Sequence, residues 1–511
     1  MATAVVNAPR ADATPALLGL RQVADQIFSR ASGARLREGN RVRLLKDATQ
    51  NYPRWLDAIA AARRTIHFEM YIIHEDAQGL LFADALIAKA REGVRVRVLY
   101  DWLGGFGKTS RGFWNRLRAG GIEVRCYNPP RFQSPFGWTS RDHRKMISVD
   151  HEIGFVTGLC VGRMWVGEPE RGRDPWRDTG VEVRGPAMAD IEDAFADAWS
   201  AAGDPIPDED RVPPEPHAAL HRDSGDDACE DVALRVIATV PNTAGLFRID
   251  QLVAGLARRT LWLTDAYYAG TTPYVQALRA AARDGVDVRL LVPGATDIPT
   301  IRLVSRAGYR PLLEAGVRVF EWNGTMLHAK TAVADARWAR VGSTNLNIAS
   351  WMGNRELDVV VEDEAFAQRM ADMYLEDLAN TTEVVLDERS RVRAPGTPVR
   401  RRRAGVRARG SAGRAMAGAM RIGSAVSAAV TNRRVLEPIE GHIALSAGAV
   451  LLLLAIAAVL FPRLLAYPVA IVAAWLAATL FARGLTLLRE RHRRRLERPV
   501  VARRADRPPS P

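Results

Sequence analysis

The sequence predicts an α/β fold of two duplicated lobes with the active site at their interface, followed by a C-terminal transmembrane helical hairpin. Three observations lead to this prediction: a pattern of segments that occurs twice, strands that alternate with helices, and two long uncharged runs near the C-terminus. Duplicated strand and helix patterns indicate an α/β sheet with helices packed on it, and long uncharged runs indicate membrane helices.

The duplication is visible in two pairs of segments. AARRTIHFEMYI, which begins at Ala61, recurs as LARRTLWLTDAY from Leu256. AREGVRVRVLY, which begins at Ala90, recurs as ARDGVDVRLLV from Ala282. Because the matches keep their order and nearly the same spacing, we interpret the chain as two homologous halves.

Each half has the same predicted order of elements. A strand at 65–72 or 260–267 is followed by a helix rich in Ala and Leu, and then by a β-branched strand at 94–100 or 286–292. The alternation of strand-like and helix-like hydrophobic patterns predicts strands that pair in a sheet and helices that cover it.

A His-x-Lys-x4-Asp triplet occurs once in each half, and its His precedes a further predicted strand, at 146–149 or 331–334. The two triplets are His143, Lys145 and Asp150 in HRKMISVD, and His328, Lys330 and Asp335 in HAKTAVAD. The chain contains only five Lys against 66 Arg, yet both triplets keep Lys. This pattern indicates that an ammonium group is required at both positions.

A turn of mostly small residues follows each triplet, TGLC at 157–160 and GSTN at 342–345. The double triplet with these turns resembles the phospholipase D superfamily, and RDHRK, MLHAK and GSTNLN resemble its bacterial cardiolipin synthase branch. The resemblance covers about residues 40–390. It implies two phospholipase D-like lobes and an enzyme that passes a phosphatidyl group between phosphatidylglycerol molecules through a phosphohistidine.

Two imidazoles suit this chemistry. Displacing an alcohol from a phosphodiester needs a nucleophile and an acid for the leaving oxygen, and histidine supplies both near neutral pH. By analogy with the family, His143 is expected to be the nucleophile and His328 the general acid that later deprotonates the incoming alcohol. The sequence alone leaves this assignment open.

The non-bridging phosphate oxygens need positive or neutral donors. Lys145 and Lys330 are compact charges suited to them, and Ser343 and Asn345 are expected to add neutral hydrogen-bond donors. Cys160 aligns with Asn345, where the family commonly has Asn in both copies. It is interpreted either as a small buried residue or as a sign of an altered pocket or a reactive thiol.

Each imidazole also needs a partner that fixes its tautomer. Glu356 and Asp178 lie where the family places such carboxylates and are the candidates. Asp150 and Asp335 are then expected to give structural support by hydrogen bonding in the strand and turn. No metal or other cofactor is needed: His217 and His221 have helical spacing, but their Pro- and Asp-rich context makes a zinc site improbable.

The C-terminus predicts membrane attachment. Residues 443–461 and 464–481 are uncharged runs close to the ~20 residues that span a bilayer as a helix. A buried core hairpin is the alternative, but the Arg clusters on both outer flanks favour a membrane. Under the positive-inside rule, both ends and the catalytic lobes lie on the cytoplasmic side of a bacterial inner membrane.

Charge is unevenly distributed. The chain has a net charge of +13, but residues 391–511 hold 23 Arg and 5 acids, which leaves 48 basic and 53 acidic residues for the body. An acidic body argues against a nuclease. The Arg residues at 400–403, 407, 409 and 414 either hold anionic headgroups or form a solvated linker.

The predicted organisation has seven segments. They are a lead-in (1–39), the first phospholipase D-like lobe (40–202), a linker (203–231), the second lobe (232–390), an Arg-rich linker (391–440), two transmembrane helices (441–488) and a basic cytoplasmic tail (489–511).

The expected partners are a membrane and a phospholipid substrate, phosphatidylglycerol, with no nucleic acid. A phospholipid hydrolase, a nucleic-acid phosphodiesterase and a non-catalytic membrane scaffold remain as alternatives. Aromatic residues near the first triplet either line an entrance for acyl chains or belong to the core: Phe132, Phe136, Trp138 and Trp165.

Overall fold

The computed structural model describes residues 15–130, 139–211, 227–386 and 392–393, together with isolated positions between 452 and 481. These residues fall into two compact units, one within 1–129 and 139–418 and the other within 130–138 and 419–511. The predicted lead-in to residue 14, the aromatic residues 132, 136 and 138, the histidines 217 and 221, the Arg-rich linker and the basic tail lie outside the described residues, apart from 392–393.

The described positions of the second unit between 452 and 481 are helical. Several of them are exposed and apolar, including Leu452, Ile456 and Leu460. Most of the predicted hairpin, 443–461 and 464–481, lies outside the described residues. Within the described part of the chain, no helix is both long enough and apolar enough to cross a bilayer.

Among the described residues, seven strands and seven α-helices come from the first half of the chain. The strands are β1 (Arg37–Lys46), β2 (Thr65–Met70), β3 (Arg95–Asp101), β4 (Glu123–Tyr127), β5 (Lys145–Val149), β6 (Ile153–Thr157) and β7 (Thr179–Arg184), among the residues described. The helices are α1 (Pro15–Ser32), α2 (Asp47–Ala61), α3 (Ala77–Arg91), α4 (Trp102–Gly105), α5 (Arg111–Ala119), α6 (Arg163–Val166) and α7 (Met188–Ala202).

The second half repeats this series and extends it. Its described strands are β8 (Cys229–Thr239), β9 (Thr260–Thr264), β10 (Asp287–Pro293), β11 (Arg318–Trp322), β12 (Thr331–Ala334), β13 (Trp338–Gly342), β14 (Glu356–Val361), β15 (Thr381–Leu386) and β16 (Val392–Arg393). Its described helices are α8 (Gly245–Leu256), α9 (Thr272–Arg283), α10 (Pro299–Ala307), α11 (Tyr309–Leu313) and α12 (Glu364–Leu378). β8 begins inside the predicted linker, and α1 lies within the predicted lead-in.

The sixteen described strands form one sheet, in the order β16-β15-β11-β10-β9-β12-β13-β14-β8-β1-β7-β6-β5-β2-β3-β4. The halves meet where β1 pairs with β8 in antiparallel orientation. Outward from this seam, the order β1-β7-β6-β5-β2-β3-β4 matches β8-β14-β13-β12-β9-β10-β11. The predicted α/β fold is confirmed, and the sheet continues from one half into the other.

Helices cover both faces of this sheet. In the first half, α2, α3 and α5 bury apolar side chains such as Trp55, Phe82 and Phe113 against β2 and β3. On the face near the seam, α7 and α12 share a single core with strands of both halves. Every side chain of β2 and β5 is buried, which shows that both faces of these strands are covered, although one face of β2 carries the polar residues Thr65, His67 and Glu69.

Local polar caps fix the helix starts that surround the site. The Asp76 carboxylate accepts from the backbone N–H groups of Gln78 and Gly79 at the start of α3. The Asp101 carboxylate does the same for Leu103 and Gly104 at the start of α4. Such caps satisfy donors that the first helical turn leaves free.

Candidate active site

The two triplet histidines stand at the same end of the sheet. His143 precedes β5 and His328 precedes β12, and both strands run antiparallel to the neighbouring β2 or β9. The start of β5 therefore lies beside the end of β2, and the start of β12 beside the end of β9. Loops that follow β2, β3, β9 and β10 open at this edge.

Backbone hydrogen bonds tie each histidine to the opposite half. The His143 N–H donates to the Arg355 carbonyl at 2.9 Å, and the His328 N–H donates to the Arg177 carbonyl at 2.7 Å. Asp178 and Glu356 directly follow these two arginines. The backbone thus places the carboxylate of one half beside the imidazole of the other.

The side chains pair across the halves in the same way. His143 Nδ1 lies 2.9 and 3.1 Å from the two oxygens of Glu356, and His328 Nδ1 lies 2.6 Å from Asp178 Oδ2. An ionised carboxylate requires the proton on Nδ1, and the Nε2 lone pair then remains free for chemistry. Both histidines and both carboxylates are buried.

Further donors orient the Glu356 carboxylate. The Ser343 hydroxyl donates to Glu356 Oε2 at 2.6 Å and accepts from the Leu357 N–H at 2.9 Å, and Asn354 Nδ2 donates to Glu356 Oε1 at 3.2 Å. The proton of Ser343 is therefore directed at the carboxylate, which differs from the predicted contact with phosphate. Asn345 is buried, and its Oδ1 accepts no hydrogen bond from the described residues.

Asp178 is oriented by different groups. Trp165 Nε1 donates to Asp178 Oδ2 at 3.0 Å, and the Thr179 N–H donates to Oδ1 at 2.9 Å. A Cβ added to Gly158, the counterpart of Ser343, would lie 2.2 Å from Asp178 Oδ1. Trp165 is buried with its ring centroid 5.7 Å from that of His328, which favours the core interpretation over an acyl-chain entrance.

The two lysines lie beside the histidines. Lys145 Nζ donates to the His143 carbonyl and Lys330 Nζ to the His328 carbonyl, and both side chains are fully buried. Each ammonium also faces an aromatic ring, 5.2 Å from the centroid of Tyr71 and 5.8 Å from that of Tyr267. These contacts hold the two positive charges inside the site.

Burial makes both imidazoles neutral. It lowers the pKa of His143 to about 4, opposed by Glu356 and reinforced by Lys145 and Lys330. Burial and then Lys330 lower the pKa of His328 to about 3, with Lys145 acting in the same direction. Because each ammonium acts on both imidazoles, the two triplets form one electrostatic site.

The carboxylates remain ionised. Burial opposes ionisation of Glu356, but His143 and Lys145 outweigh it and lower its pKa. The same balance, with His328 and Lys330, lowers the pKa of Asp178. Two ammonium groups, two carboxylates and two neutral imidazoles give these six side chains no net charge.

The third residue of each triplet lies at the far end of its strand. Asp150 accepts from the N–H groups of Arg63, Arg64 and Thr65 at 2.7–2.8 Å. Asp335 makes the equivalent bonds to residues 258–260 at 2.7–2.9 Å. Both carboxylates therefore join the end of the histidine strand to the start of its neighbour, away from the imidazoles.

Cys160 is buried, and burial raises the pKa of its thiol. Its carbonyl accepts from the Tyr52 hydroxyl at 2.6 Å. These observations favour the interpretation as a small buried residue. Within the described ranges, no group of three or more His, Cys, Asp or Glu side chains is arranged to hold a metal ion.

Three residues near the site escaped the sequence analysis. The Tyr71 ring lies 4.8 Å from the His143 ring and the Tyr267 ring 5.9 Å from the His328 ring, measured between centroids. Asp265 accepts from the N–H groups of Tyr267 and Leu346. Tyr71 is the eleventh residue of its duplicated segment and Tyr267 the twelfth, so a tyrosine near the end of each segment was an available signal. The burial of Asp265 had no such signal.

Comparisons with known proteins identify the family. A family profile described as "Cardiolipin synthase, PLD-like domain" matches residues 55–162 and 254–378. "Cardiolipin synthase A" of Pseudomonas aeruginosa is 36% identical over 359 residues, which cover 69% of this chain and 70% of that protein. "Cardiolipin synthase" of Alkalihalophilus pseudofirmus is 31% identical over 348 residues, which cover 67% of each.

The fold also occurs in a solved structure of low sequence identity. The crystal structure of phosphatidylserine synthase from Haemophilus influenzae Rd KW20 superposes with a TM-score of 0.53 and 13% identity. The match covers 67% of this chain and 87% of that one. It concerns the α/β architecture alone.

Proposed function

The chain belongs to the cardiolipin synthase-like family of phospholipase D-type enzymes, and from this premise we propose that it transfers a phosphatidyl group between two phosphatidylglycerol molecules through a phosphohistidine. The products are then cardiolipin and free glycerol. The observation that carries the proposal is the pair of crossed His–carboxylate contacts, His143 with Glu356 and His328 with Asp178, beside two buried lysines.

The first step uses the free Nε2 of His143. Its lone pair attacks phosphorus, the bond from phosphorus to the headgroup oxygen breaks, and the protonated His328 gives its Nε2 proton to the departing glycerol. Glu356 accepts the Nδ1–H of His143 and so stabilises the positive charge that the ring acquires. Lys145 and Lys330 hold the non-bridging oxygens, where negative charge persists through the transition state.

His328 takes up the proton for this step when the substrate binds. Burial lowers the pKa of His328 to about 3, so the ring is neutral near pH 7 and is not by itself an acid. A phosphodiester adds one negative charge to side chains whose charges cancel, and this charge favours the protonated imidazole. Binding of the phosphodiester is therefore coupled to the uptake of about one proton by the site.

The second step reverses the roles. His328, now neutral, removes the proton from the hydroxyl of a second phosphatidylglycerol. The resulting oxygen attacks phosphorus, and the bond from phosphorus to His143 Nε2 breaks. His143 is only 8% exposed and His328 only 5%. This burial restricts the access of bulk water to the phosphohistidine and so favours transfer over hydrolysis.

Membrane attachment completes the proposal. The uncharged runs at 443–461 and 464–481 would anchor the chain, and their Arg-rich flanks would keep both ends in the cytoplasm. The catalytic body would then work on the cytoplasmic leaflet of a bacterial inner membrane. The arginines at 400–403 would add attraction to anionic headgroups.

Product analysis tests the proposed reaction. Purified full-length protein is incubated with phosphatidylglycerol labelled in its acyl chains, in the presence of chelator, and the lipids are separated. Cardiolipin and equimolar glycerol are expected. His143→Ala serves as the blank. Phosphatidic acid as the sole product would show that the protein is a hydrolase, and the absence of any lipid product would refute the proposal.

A further inference from the structure

Four exposed apolar side chains stand on loops and short helices at the active-site end of the sheet. They are Phe106 (66% exposed), Val166 (37%), Leu303 (62%) and Ile348 (40%), here called the apolar rim. Single exposed apolar residues are ordinary on protein surfaces. These four differ because each belongs to a segment that contacts either the candidate catalytic residue Asp178 or the tyrosines beside the two histidines.

Phe106 directly follows α4, and α4 rests on Tyr71. A Cβ on Gly104 would lie 1.8 Å from the Tyr71 carbonyl oxygen, so this helix approaches as closely as a glycine allows. The Tyr71 ring in turn packs on the His143 ring. Phe106 also stacks near Trp102, with 5.3 Å between ring centroids.

Leu303 lies on α10, which is fastened to the residues beside His328. The Ser305 hydroxyl donates to the Tyr268 carbonyl at 2.7 Å, and the Tyr267 hydroxyl donates to Asp297 at 2.9 Å just before α10. The Tyr267 ring packs against His328. Leu303 is therefore held near the second imidazole as Phe106 is held near the first.

The other two rim residues adjoin groups that touch the site directly. Val166 follows Trp165, whose indole N–H donates to Asp178. Ile348 follows Asn347, whose side chain donates to the Tyr267 carbonyl at 3.0 Å. Both lie on loops that return to the active-site end after β6 and β13.

The rim follows the internal duplication. Phe106 and Leu303 come after the equivalent strands β3 and β10, and Val166 and Ile348 after β6 and β13. Each half thus contributes the same two loops. Exposed cations lie close in sequence to Phe106 and Leu303, namely Lys108 and Arg302.

We propose that the apolar rim docks the catalytic body onto the surface of an anionic lipid bilayer. This inference rests on the proposed function, because a two-chain lipid must present its headgroup to buried imidazoles without leaving the membrane. Apolar side chains around the opening enter the acyl boundary, and Lys108 and Arg302 meet anionic headgroups. The rim therefore selects phospholipid in a bilayer over dispersed phospholipid.

The test compares two physical forms of one substrate. Full-length protein carrying both Phe106→Ser and Leu303→Ser is assayed on long-chain phosphatidylglycerol in vesicles and on dihexanoylphosphatidylglycerol as dispersed monomers. Vesicle activity should fall by about tenfold or more, because two large side chains no longer enter the lipid. Activity on monomers should stay at the wild-type level.

Leu256→Ser is the matched control. Leu256 is 58% exposed, but it ends α8 just before β9 and so lies at the opposite end of the sheet. This variant should change neither activity. An equal loss on both substrate forms, or no loss on vesicles, would overturn the docking proposal, as would a rim that instead proves to join two copies of the chain in detergent.

A second measurement separates this proposal from the proposed function. A fluorophore on Phe106→Cys or Leu256→Cys, each with Cys126→Ser, is followed in vesicles that contain brominated acyl chains. Quenching at position 106 without quenching at 256 supports docking even if the wild-type protein makes no cardiolipin. Equal quenching at both positions, or none at 106, would refute docking whatever the lipid products are.

Discussion

The His143 imidazole and the Glu356 carboxylate are 213 residues apart in the chain and 2.9 Å apart in the site. The corresponding pair, His328 and Asp178, is 150 residues apart and crosses the halves in the opposite direction. Each lobe therefore supplies one reactive ring and the support for the other ring. The proposed mechanism therefore requires both halves.

Replacing Glu356 by Gln tests this dependence. The amide keeps the shape but loses the charge that stabilises a positive His143, so kcat should fall by about 10²- to 10⁴-fold. Glu362→Gln is the control, because Glu362 pairs with Arg235 outside the site and its loss should leave kcat unchanged. Near-normal turnover of Glu356→Gln in a steady-state assay would contradict the assignment.

The roles of the two histidines can be separated with a leaving group that needs no acid. Phosphatidyl-p-nitrophenol releases a stable phenolate, so His328→Ala should still form the covalent adduct and release nitrophenol in a burst. His143→Ala should do neither. Labelled phosphatidyl bound to protein after quenching is the readout, and adduct formation by His143→Ala alone would exchange the two assignments.

The alkaline side of the pH profile should report Lys330. Burial lowers its pKa to about 8, so its charge is present below that pH and is lost as the pH rises. We expect kcat/KM of the free enzyme to fall through this range, and Lys330→Arg to retain its charge to higher pH. Asp265→Asn removes a neighbour that raises the Lys330 pKa, and should move the fall to lower pH.

The decisive result is that Lys330→Arg moves the alkaline fall of kcat/KM to higher pH and Asp265→Asn moves it to lower pH. An alkaline limb that stays at the same pH in both would show that another group controls it. The measurement is kcat/KM on dispersed short-chain substrate, so that changes in vesicle charge do not enter.

Asp150 should matter for stability more than for chemistry. Asp150→Asn keeps a side chain that tolerates the left-handed backbone, φ 53°, but weakens bonds to three backbone N–H groups. The free energy of unfolding should fall by about 1–3 kcal/mol. Asp335→Asn should cost less, because that carboxylate is half-buried and water can replace part of its bonding.

Chemical denaturation in detergent, with activity measured per folded molecule, checks this expectation. Glu152→Gln, an exposed neighbour of Asp150, serves as the control. A loss of turnover by Asp150→Asn at full stability would place that residue in the chemistry instead.

Cys160 should not react with thiol reagents in the native enzyme. Burial raises the pKa of its thiol and keeps it from solvent, so the reactive thiolate is scarce and inaccessible near neutral pH. Treatment with N-ethylmaleimide should leave activity intact, and Cys160→Ser should behave in the same way. Inactivation that parallels labelling of Cys160 in mass spectra would contradict this prediction.

Periodicity predicted the strands well because local pattern determines them. The predicted strand 331–334 coincides with β12, and the predicted strand 94–100 differs by one residue at each end from β3. The predicted strand 65–72 is longer than β2, which ends at Met70. The difference arises because Tyr71 leaves the strand to pack against His143, a tertiary contact that no local pattern contains.

The pairing of each histidine with a carboxylate of the other lobe could not be predicted from the sequence, for a related reason. Each lobe contains a histidine and a carboxylate at moderate separation, so spacing alone is equally compatible with pairing inside a lobe. The choice between lobes depends on the antiparallel seam of β1 and β8 and on the backbone bonds at Arg177 and Arg355. The role of Ser343 also depends on three-dimensional position, since a serine in this turn could face either phosphate or carboxylate.

The seam between β1 and β8 has a consequence for ancestry. A lone lobe with this architecture would hold a ring and an acid that cannot serve each other, and would gain activity only by self-association about a twofold axis. In a fused chain the two copies need not have the same sequence. Asp178 accepts a hydrogen bond from an indole, whereas Glu356 accepts from a hydroxyl and an amide. That freedom allows one ring to specialise in attack and its twin in carrying protons.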